Sequence, residues 1–306
     1  MEQTSELLLK RLRKPSGTVD VVLDTDTFNE IDDQYALAYL IRSDDKLNLK
    51  AIYAAPFQND KAPSPKQGME MSYDEILRIL SLMKRDDLKS KVYKGSDAFL
   101  QSETQPVVSD AAKNLVKLAR ESAAAQKPLY VIAIGAITNV ASALLLEPEI
   151  KNSIVLIWLG GHAHDWPDNK EFNLYEDIAA ARIVFGCGVP LVQLPCMGVV
   201  SAFTTSGPEL EYWLKGKNAL CDYLVDVTKK EALKYGGGPC WTREIWDVAA
   251  VAWLLDGDFM LDRLEHSPIP TYDGTYSIDR TRHLIKYVYH IKRDNLFYDL
   301  FSKLAK

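Results

Sequence analysis

Short, continuous apolar runs alternate along this chain with stretches of helical spacing. The runs are VDVVL (19–23), LKAIYA (49–54), LYVIAI (129–134), IVLIWLG (154–160) and PLVQLP (190–195). A strand with one wet face alternates apolar and polar residues, so runs without alternation fit strands covered on both faces of a parallel sheet. Between them, residues 32–41, 69–83, 111–125 and 138–146 carry apolar positions at helical spacing. Strand followed by helix, repeated, predicts βα units and a doubly wound, mostly parallel open sheet with a Rossmann-like core. Further on, YSIDRTRHLIKYVYHI (276–291) predicts a hairpin and the last residues a terminal helix. Residues 58–68 and the YGGGP stretch at 235–239 are expected to be mobile loops, either of which could act as a lid.

Length adds one constraint. A chain of 306 residues is within reach of one large α/β domain, so we expect a single domain over 1–306, with 1–17 as an N-terminal extension. No apolar run approaches the roughly 20 residues of a membrane span, and the first residues lack the small-residue cleavage site of a signal peptide. A cytoplasmic location is the expectation. The four cysteines, Cys187, Cys196, Cys221 and Cys240, show no C-x-x-C spacing and are expected to be buried free thiols. A net charge of −6 without a Lys/Arg-rich block gives no footprint for nucleic acid, so the partner should be a small molecule.

In doubly wound sheets, ligands bind beyond the carboxyl ends of the strands. The first strand there runs into VVLDTDTFNEIDDQYALAYL (21–40), which places Asp24 and Asp26 at a strand end and Asp32 and Asp33 at a helix start. Like charges this close need raised pKa values or a bound cation, and an oxygen-only donor set favours calcium or magnesium. A simpler reading makes Asp32 an N-cap and Asp33 a first-turn acid that complements the helix dipole. It leaves Asp24 and Asp26 unexplained.

This segment resembles the inosine-uridine nucleoside hydrolase family, whose first strand ends in D-T-D-P-G-x-D-D. Here the stretch reads DTDTFNEIDD, two residues longer between Asp26 and Asp32, so Asn29 or Glu30 can enter the site. Three further motifs follow in the family's order. PLYVIAIGAITNVASALLLEP (128–148) matches a G-x-L-T-N turn through Gly135, Ile137, Thr138 and Asn139, which assigns a metal-binding carbonyl to Ile134. A strand-turn-helix with Thr138 as N-cap fits the same residues. IWLGGHAHDWPDNKEFNLYEDIAAARIVF (157–185) resembles the G-G segment and the E-F-N-x-x-x-D that follows it, with Glu171 and Asn173 as ribose-binding residues. Where the family often has another ribose-binding asparagine, this chain has His162, His164, Asp165 and Trp166, and we take His164 as a substrate contact. REIWDVAAVAWLL (243–255) matches the late H-D-x-x-A-V-A motif with Asp247 as metal ligand. Trp246 replaces its histidine, as in the purine-preferring branch, although a Trp packed at a helix start would read the same way.

The resemblance implies calcium held by Asp26, Asp33, the Ile134 carbonyl and Asp247. Asp26 would be the catalytic base, Asp32, Glu171, Asn173, His164 and Trp246 would bind substrate, and Asp24 and Asn139 would support the site. The implied reaction is hydrolysis of ribonucleosides, purines preferred, to ribose and free base, as in purine salvage, by a homo-oligomer (dimer or tetramer). Two other readings stay open here. An Asp24-Thr25-Asp26 strand end also suits a haloacid dehalogenase-like phosphatase, and the altered loop suits a ribosyl-ligand binding protein without turnover.

Overall fold

The computed structural model describes residues 5–235, 238 and 240–306. Of the glycine-rich loop expected at 235–239, only Tyr235 and Gly238 therefore belong to the described residues. The chain opens with α1 (Ser5–Arg11), followed by β1 (Val19–Thr25), α2 (Asp32–Ile41), β2 (Leu47–Ala54), α3 (Pro65–Leu82) and β3 (Val92–Lys94). Then come α4 (Asp110–Ala124), β4 (Leu129–Ala133), α5 (Thr138–Leu146), β5 (Ile154–Leu159), α6 (Phe172–Tyr175), α7 (Ile178–Gly186) and β6 (Leu191–Leu194). The last third holds β7 (Thr204–Ser206), α8 (Gly207–Trp213), α9 (Ala219–Tyr235), β8 (Thr242–Glu244), α10 (Val248–Trp253) and β9 (Met260–His266). It closes with β10 (Ile269–Pro270), β11 (Tyr276–Ser277), β12 (Leu284–Ile291) and α11 (Arg293–Leu304).

Eight strands form the central sheet in the order β3-β2-β1-β4-β5-β6-β12-β9. All neighbours run parallel except β9, which is antiparallel to β12. The first six strands follow the doubly wound order 3-2-1-4-5-6, so the winding reverses between β1 and β4. A reversal of this kind opens a crevice past the strand ends, because the connections leave for opposite faces.

Each of the five apolar runs forms a strand, and β4, β5 and β6 are buried along their whole length. Cover on both faces explains the missing alternation. One core lies between the sheet and α2, α3, α9, α10 and α11, the other between the sheet and α4, α5 and α7. Alanine-rich α10 (VAAVAW) packs against α2 with every residue buried, the small side chains letting two helices share one face of the sheet. No helix among the described residues is long and apolar enough to cross a membrane.

Three expectations need correction. The stretch 276–291 is not one hairpin: β12 pairs with β6 and β9, while β11 pairs separately with β10. Residues 58–68 are not a free loop. Helix α3 begins at Pro65, capped by Ser64, whose Oγ accepts the Gln67 amide at 3.3 Å. Upstream, the Gln58 amide donates to Glu176 Oε1 at 2.7 Å and Asn59 Nδ2 to Asn29 Oδ1 at 2.8 Å. Lastly, Cys196 and Cys221 are buried free thiols as expected, but Cys187 is half-buried and Cys240 exposed.

Candidate active site

A cavity of about 230 Å³ opens past the carboxyl ends of β1, β4, β5 and β6, at the reversal of the winding. Strand β1 carries Asp24 near its end and leads directly into Asp26, which lines the cavity. Asp24 lies in the strand beside Ala133 of β4, and the Ile134 amide donates to its carbonyl at 2.9 Å. Its side chain stays behind the cavity, where Oδ1 accepts Asn139 Nδ2 at 2.8 Å. Burial lifts the Asp24 carboxyl to about 7, against the pull of Asn139. Asn139 is itself fixed, its Oδ1 accepting the Ser96 amide at 2.7 Å and the Ser96 hydroxyl at 2.8 Å. Both residues thus support the site from beneath.

Asp26, Asp32, Asp33 and Asp247 all line the cavity and are all buried. One oxygen from each of Asp32, Asp33 and Asp247 lies within 4.8 Å of the others, a spacing fit for one metal ion. Asp33 is also within hydrogen-bonding reach of both Asp26 and Asp247, and it accepts the Thr25 hydroxyl. The helix-capping reading holds only in part: Asp33 does lie in the first turn of α2, but Ile31 and not Asp32 holds the N-cap position, without a side-chain bond, and Asp32 Oδ2 accepts the Asp247 amide at 3.2 Å. Thr138 is no cap either, since its hydroxyl donates to Asp177 Oδ2 at 2.7 Å.

Electrostatics match the crowding. Burial, then Asp33, Glu176, Asp32 and Glu30, push the Asp26 carboxyl well above the usual range. Asp32 rises through burial and its neighbours Glu30 and Asp33, although Arg243 pulls it back. Asp33 is lifted to about 6, chiefly by burial, and Asp247 climbs through burial and the other three aspartates. Asp26 Oδ2 is buried and accepts no hydrogen bond from a described residue. A set of desolvated carboxylates with one oxygen unsatisfied suits a divalent cation better than it suits four protons.

Elsewhere in the same lining, Glu171 caps α6. Its Oε1 accepts the Asn173 amide at 2.9 Å, and its Oε2 accepts the amides of Gly161 and Leu174 at 2.8 and 2.9 Å. Asn173 Nδ2 donates to the Leu159 carbonyl at 3.0 Å. Both side chains line the cavity, as do Ile134 and Trp246.

The inosine-uridine preferring nucleoside hydrolase model matches residues 21–294. The chain belongs to that family.

Members are enzymes that cleave N-ribosyl bonds, and this hydrolase is one of them; the phosphatase and the non-catalytic readings give way. The pyrimidine-specific ribonucleoside hydrolase RihA of Salmonella enteritidis PT4 is 27% identical to it, over 69% of this chain and 76% of that one. Among solved structures, an inosine-guanosine nucleoside hydrolase superposes with a TM-score of 0.72 at 17% identity, covering 93% of this chain and 98% of its own. The purine-preferring ribonucleoside hydrolase of Gardnerella vaginalis does so with a TM-score of 0.69 at 20% identity, covering 94% and 98%. These two share the fold of this hydrolase.

One expected contact is not at the cavity. His164 lies away from its lining, with Nδ1 against Glu265 Oε2 at 2.8 Å and Nε2 against Gln193 Oε1 at 2.9 Å. His162, two residues earlier, lines the cavity instead, and burial lowers its pKa. A two-residue step at a turn through Gly161, at φ +77°, was enough to exchange the two rings. Asn29 and Glu30 of the longer loop both enter the lining, and Glu30 pairs with Arg243 at 3.0 Å. Sequence reasoning missed Lys170, Cys196 and Met197. The last two follow β6 directly, so the rule applied to β1 would have found them.

Proposed function

We propose that this hydrolase cleaves the N-glycosidic bond of ribonucleosides in a calcium-dependent reaction that prefers purines, giving ribose and free base. One observation carries the reading: buried Asp26, Asp32, Asp33 and Asp247 face a single cavity whose wall includes Trp246. Asp26, Asp33, Asp247 and the Ile134 carbonyl would hold the calcium ion. When bound, it would acidify the attacking water and order the ribose 2′ and 3′ hydroxyls.

The remaining chemistry falls to the chain. Asp26, whose Oδ2 accepts no hydrogen bond from a described residue, takes the proton of the water as its oxygen bonds to the anomeric carbon. The carbon–nitrogen bond breaks in the same event, and its electron pair leaves with the base, which takes a proton from solvent water. Asp32 accepts from a ribose hydroxyl, and Glu171 and Asn173 hold the sugar from elsewhere in the lining. Positive charge grows on the ribosyl ring as the bond breaks, and the surrounding carboxylates stabilise it. Trp246 offers an aromatic face to the departing base, and a purine covers more of it than a pyrimidine.

Relatives support both base preferences, RihA being pyrimidine-specific by name and the Gardnerella vaginalis enzyme purine-preferring. Trp246 beside Asp247 tips the reading towards purines. The test is a panel of purine and pyrimidine ribonucleosides incubated with and without calcium, with free ribose measured. Release from inosine and guanosine that stops on chelation is the expected result. Equal release after exhaustive chelation, or faster release from uridine, would overturn the corresponding half of the proposal.

A further inference from the structure

Gln193 is a polar residue in the middle of an apolar strand, fully buried, and outside the cavity lining. Its Nε2 donates to the Gly160 carbonyl at 3.1 Å and to the Tyr276 hydroxyl at 2.9 Å. With the amide nitrogen committed, Oε1 faces His164 Nε2, which must therefore donate. The other edge of the His164 ring is held by Glu265 of β9, and its faces by Tyr276 and Tyr287, at ring distances of 5.2 and 4.4 Å. On the far side, the Tyr276 hydroxyl and Asn169 Oδ1 fill the space that a Cβ on Gly161 would need. Asn169 Oδ1 accepts the His162 amide at 2.9 Å, and the Gly161 amide donates to Glu171 Oε2 at 2.8 Å.

Every polar group in this chain of contacts leads to the turn 160–162, which carries one cavity residue and anchors another. The His162 ring is oriented as well: its Nδ1 accepts the Met197 amide at 3.3 Å, which leaves the proton on Nε2. We propose that Gln193, Tyr276 and the His164–Glu265 pair are positioning residues, which act through the 160–162 turn to hold Glu171 and His162 in their orientations at the cavity. The inference rests on the cavity being the substrate site, as proposed above. It gives His164 a role one step removed from substrate, and it assigns a function to Glu265 of β9 and Tyr276 of β11. Outer partners of this kind set ligand orientation, and losing one commonly costs 10–100-fold where it supports a site directly.

Tyr276→Phe removes one hydroxyl and Gln193→Leu removes the hub, each at nearly constant volume. Steady-state kinetics on the best ribonucleoside and hydrogen–deuterium exchange over 160–174 should be measured for both, beside the wild-type holoenzyme. We expect KM to rise about tenfold with a smaller loss in kcat, and faster exchange at 160–163. In a His162→Ala, Glu171→Gln background the same changes should cost little more, because the groups they position are gone. Unchanged KM and exchange in both variants would overturn the network, as would a lower melting temperature without either effect, which is what simple packing would give. Failure of the wild type to release ribose would count against the proposed function, whereas wild-type turnover with silent variants counts against the network alone.

Discussion

Two walls of one cavity are built in opposite ways. The aspartate wall draws its acids mainly from one short segment: Asp26, Asp32 and Asp33 lie within eight residues, and only Asp247 comes from afar. Elsewhere in the lining, the turn 160–162 and the His164 ring behind it are held by Glu171, Gln193, Glu265, Tyr276 and Tyr287, which come from five separate places in the chain. The first wall concentrates charge and is held apart by repulsion until something neutralises it. The second holds no net concentration of charge, and hydrogen bonds fix it. Substitutions should therefore fail differently on the two sides: chemistry goes first at the aspartates, and geometry goes first at the turn.

The largest effect belongs to the aspartates. Asp33→Ala and Asp247→Ala should lower kcat/KM on the order of 10³-fold or more, since each removes a proposed metal ligand and a stabilising charge together. Stability should move the other way in chelator. Removing one of four buried, mutually repelling carboxylates leaves the metal-free variant at least as stable as metal-free wild type. Added calcium at 100 times its Kd should stabilise wild type by about 2.7 kcal/mol and the variants hardly at all. Melting curves with and without calcium measure this, and a variant that melts below wild type in chelator would mean that the cluster is held by something other than a cation.

At the turn, the sharpest substitution is Gly161→Ala. Gly161 sits at φ +77°, where side chains are strained, and its Cβ would collide with the Tyr276 hydroxyl. Strain and overpacking together should cost about 2–4 kcal/mol, seen as a melting point lower by roughly 3–6 °C, with calcium affinity retained. Loss of calcium stabilisation in Gly161→Ala would show that the two walls do not fail independently.

This contrast also explains how much of the molecule was legible in the sequence. The sheet was, because strands buried on both faces have a pattern of their own, and so were the aspartates, whose residues sit together. Helix starts were read less well: Ser64-Pro65 is a cap signal that was passed over, which left the first turn of α3 in a supposed loop. Choosing between His162 and His164 lay beyond periodicity, since the answer depends on Gln193, Glu265 and Tyr276, up to 112 residues away from His164 (276 minus 164). A lone glutamine in the run PLVQLP was nevertheless a visible hint, because a buried polar side chain needs partners.

A smaller effect is expected from Trp246, which lines the aspartate wall but carries no charge. Stacking adds about 0.5–1.5 kcal/mol for an aromatic pair, so Trp246→Ala should slow purine release roughly 2–12-fold. A nitrophenyl riboside, whose leaving group needs no proton, should be comparatively spared. Equal losses on inosine and nitrophenyl riboside would assign Trp246 to packing alone.

The smallest effect concerns Glu176, which lies outside the cavity lining. Its Oε1 accepts the Gln58 amide at 2.7 Å, its Oε2 is buried without a described partner, and its charge raises Asp26. Burial first, opposed by the Gln58 bond, lifts its carboxyl from 4.5 to about 8. A group whose folded pKa is raised binds its proton more tightly in the folded state, so its contribution is complete below the unfolded pKa and is lost as pH rises through the folded one. The window is therefore about pH 4.5 to 8. Glu176→Gln keeps the acceptor for Gln58 and cannot ionise, so it should lose none of that contribution. Denaturant unfolding of metal-free wild type and variant across this range reads the effect, to which Asp26, raised by the Glu176 charge in wild type alone, adds in the same direction. The gap should widen in favour of Glu176→Gln as pH rises, and parallel curves would show that Glu176 is neutralised by a neighbour rather than by its own burial.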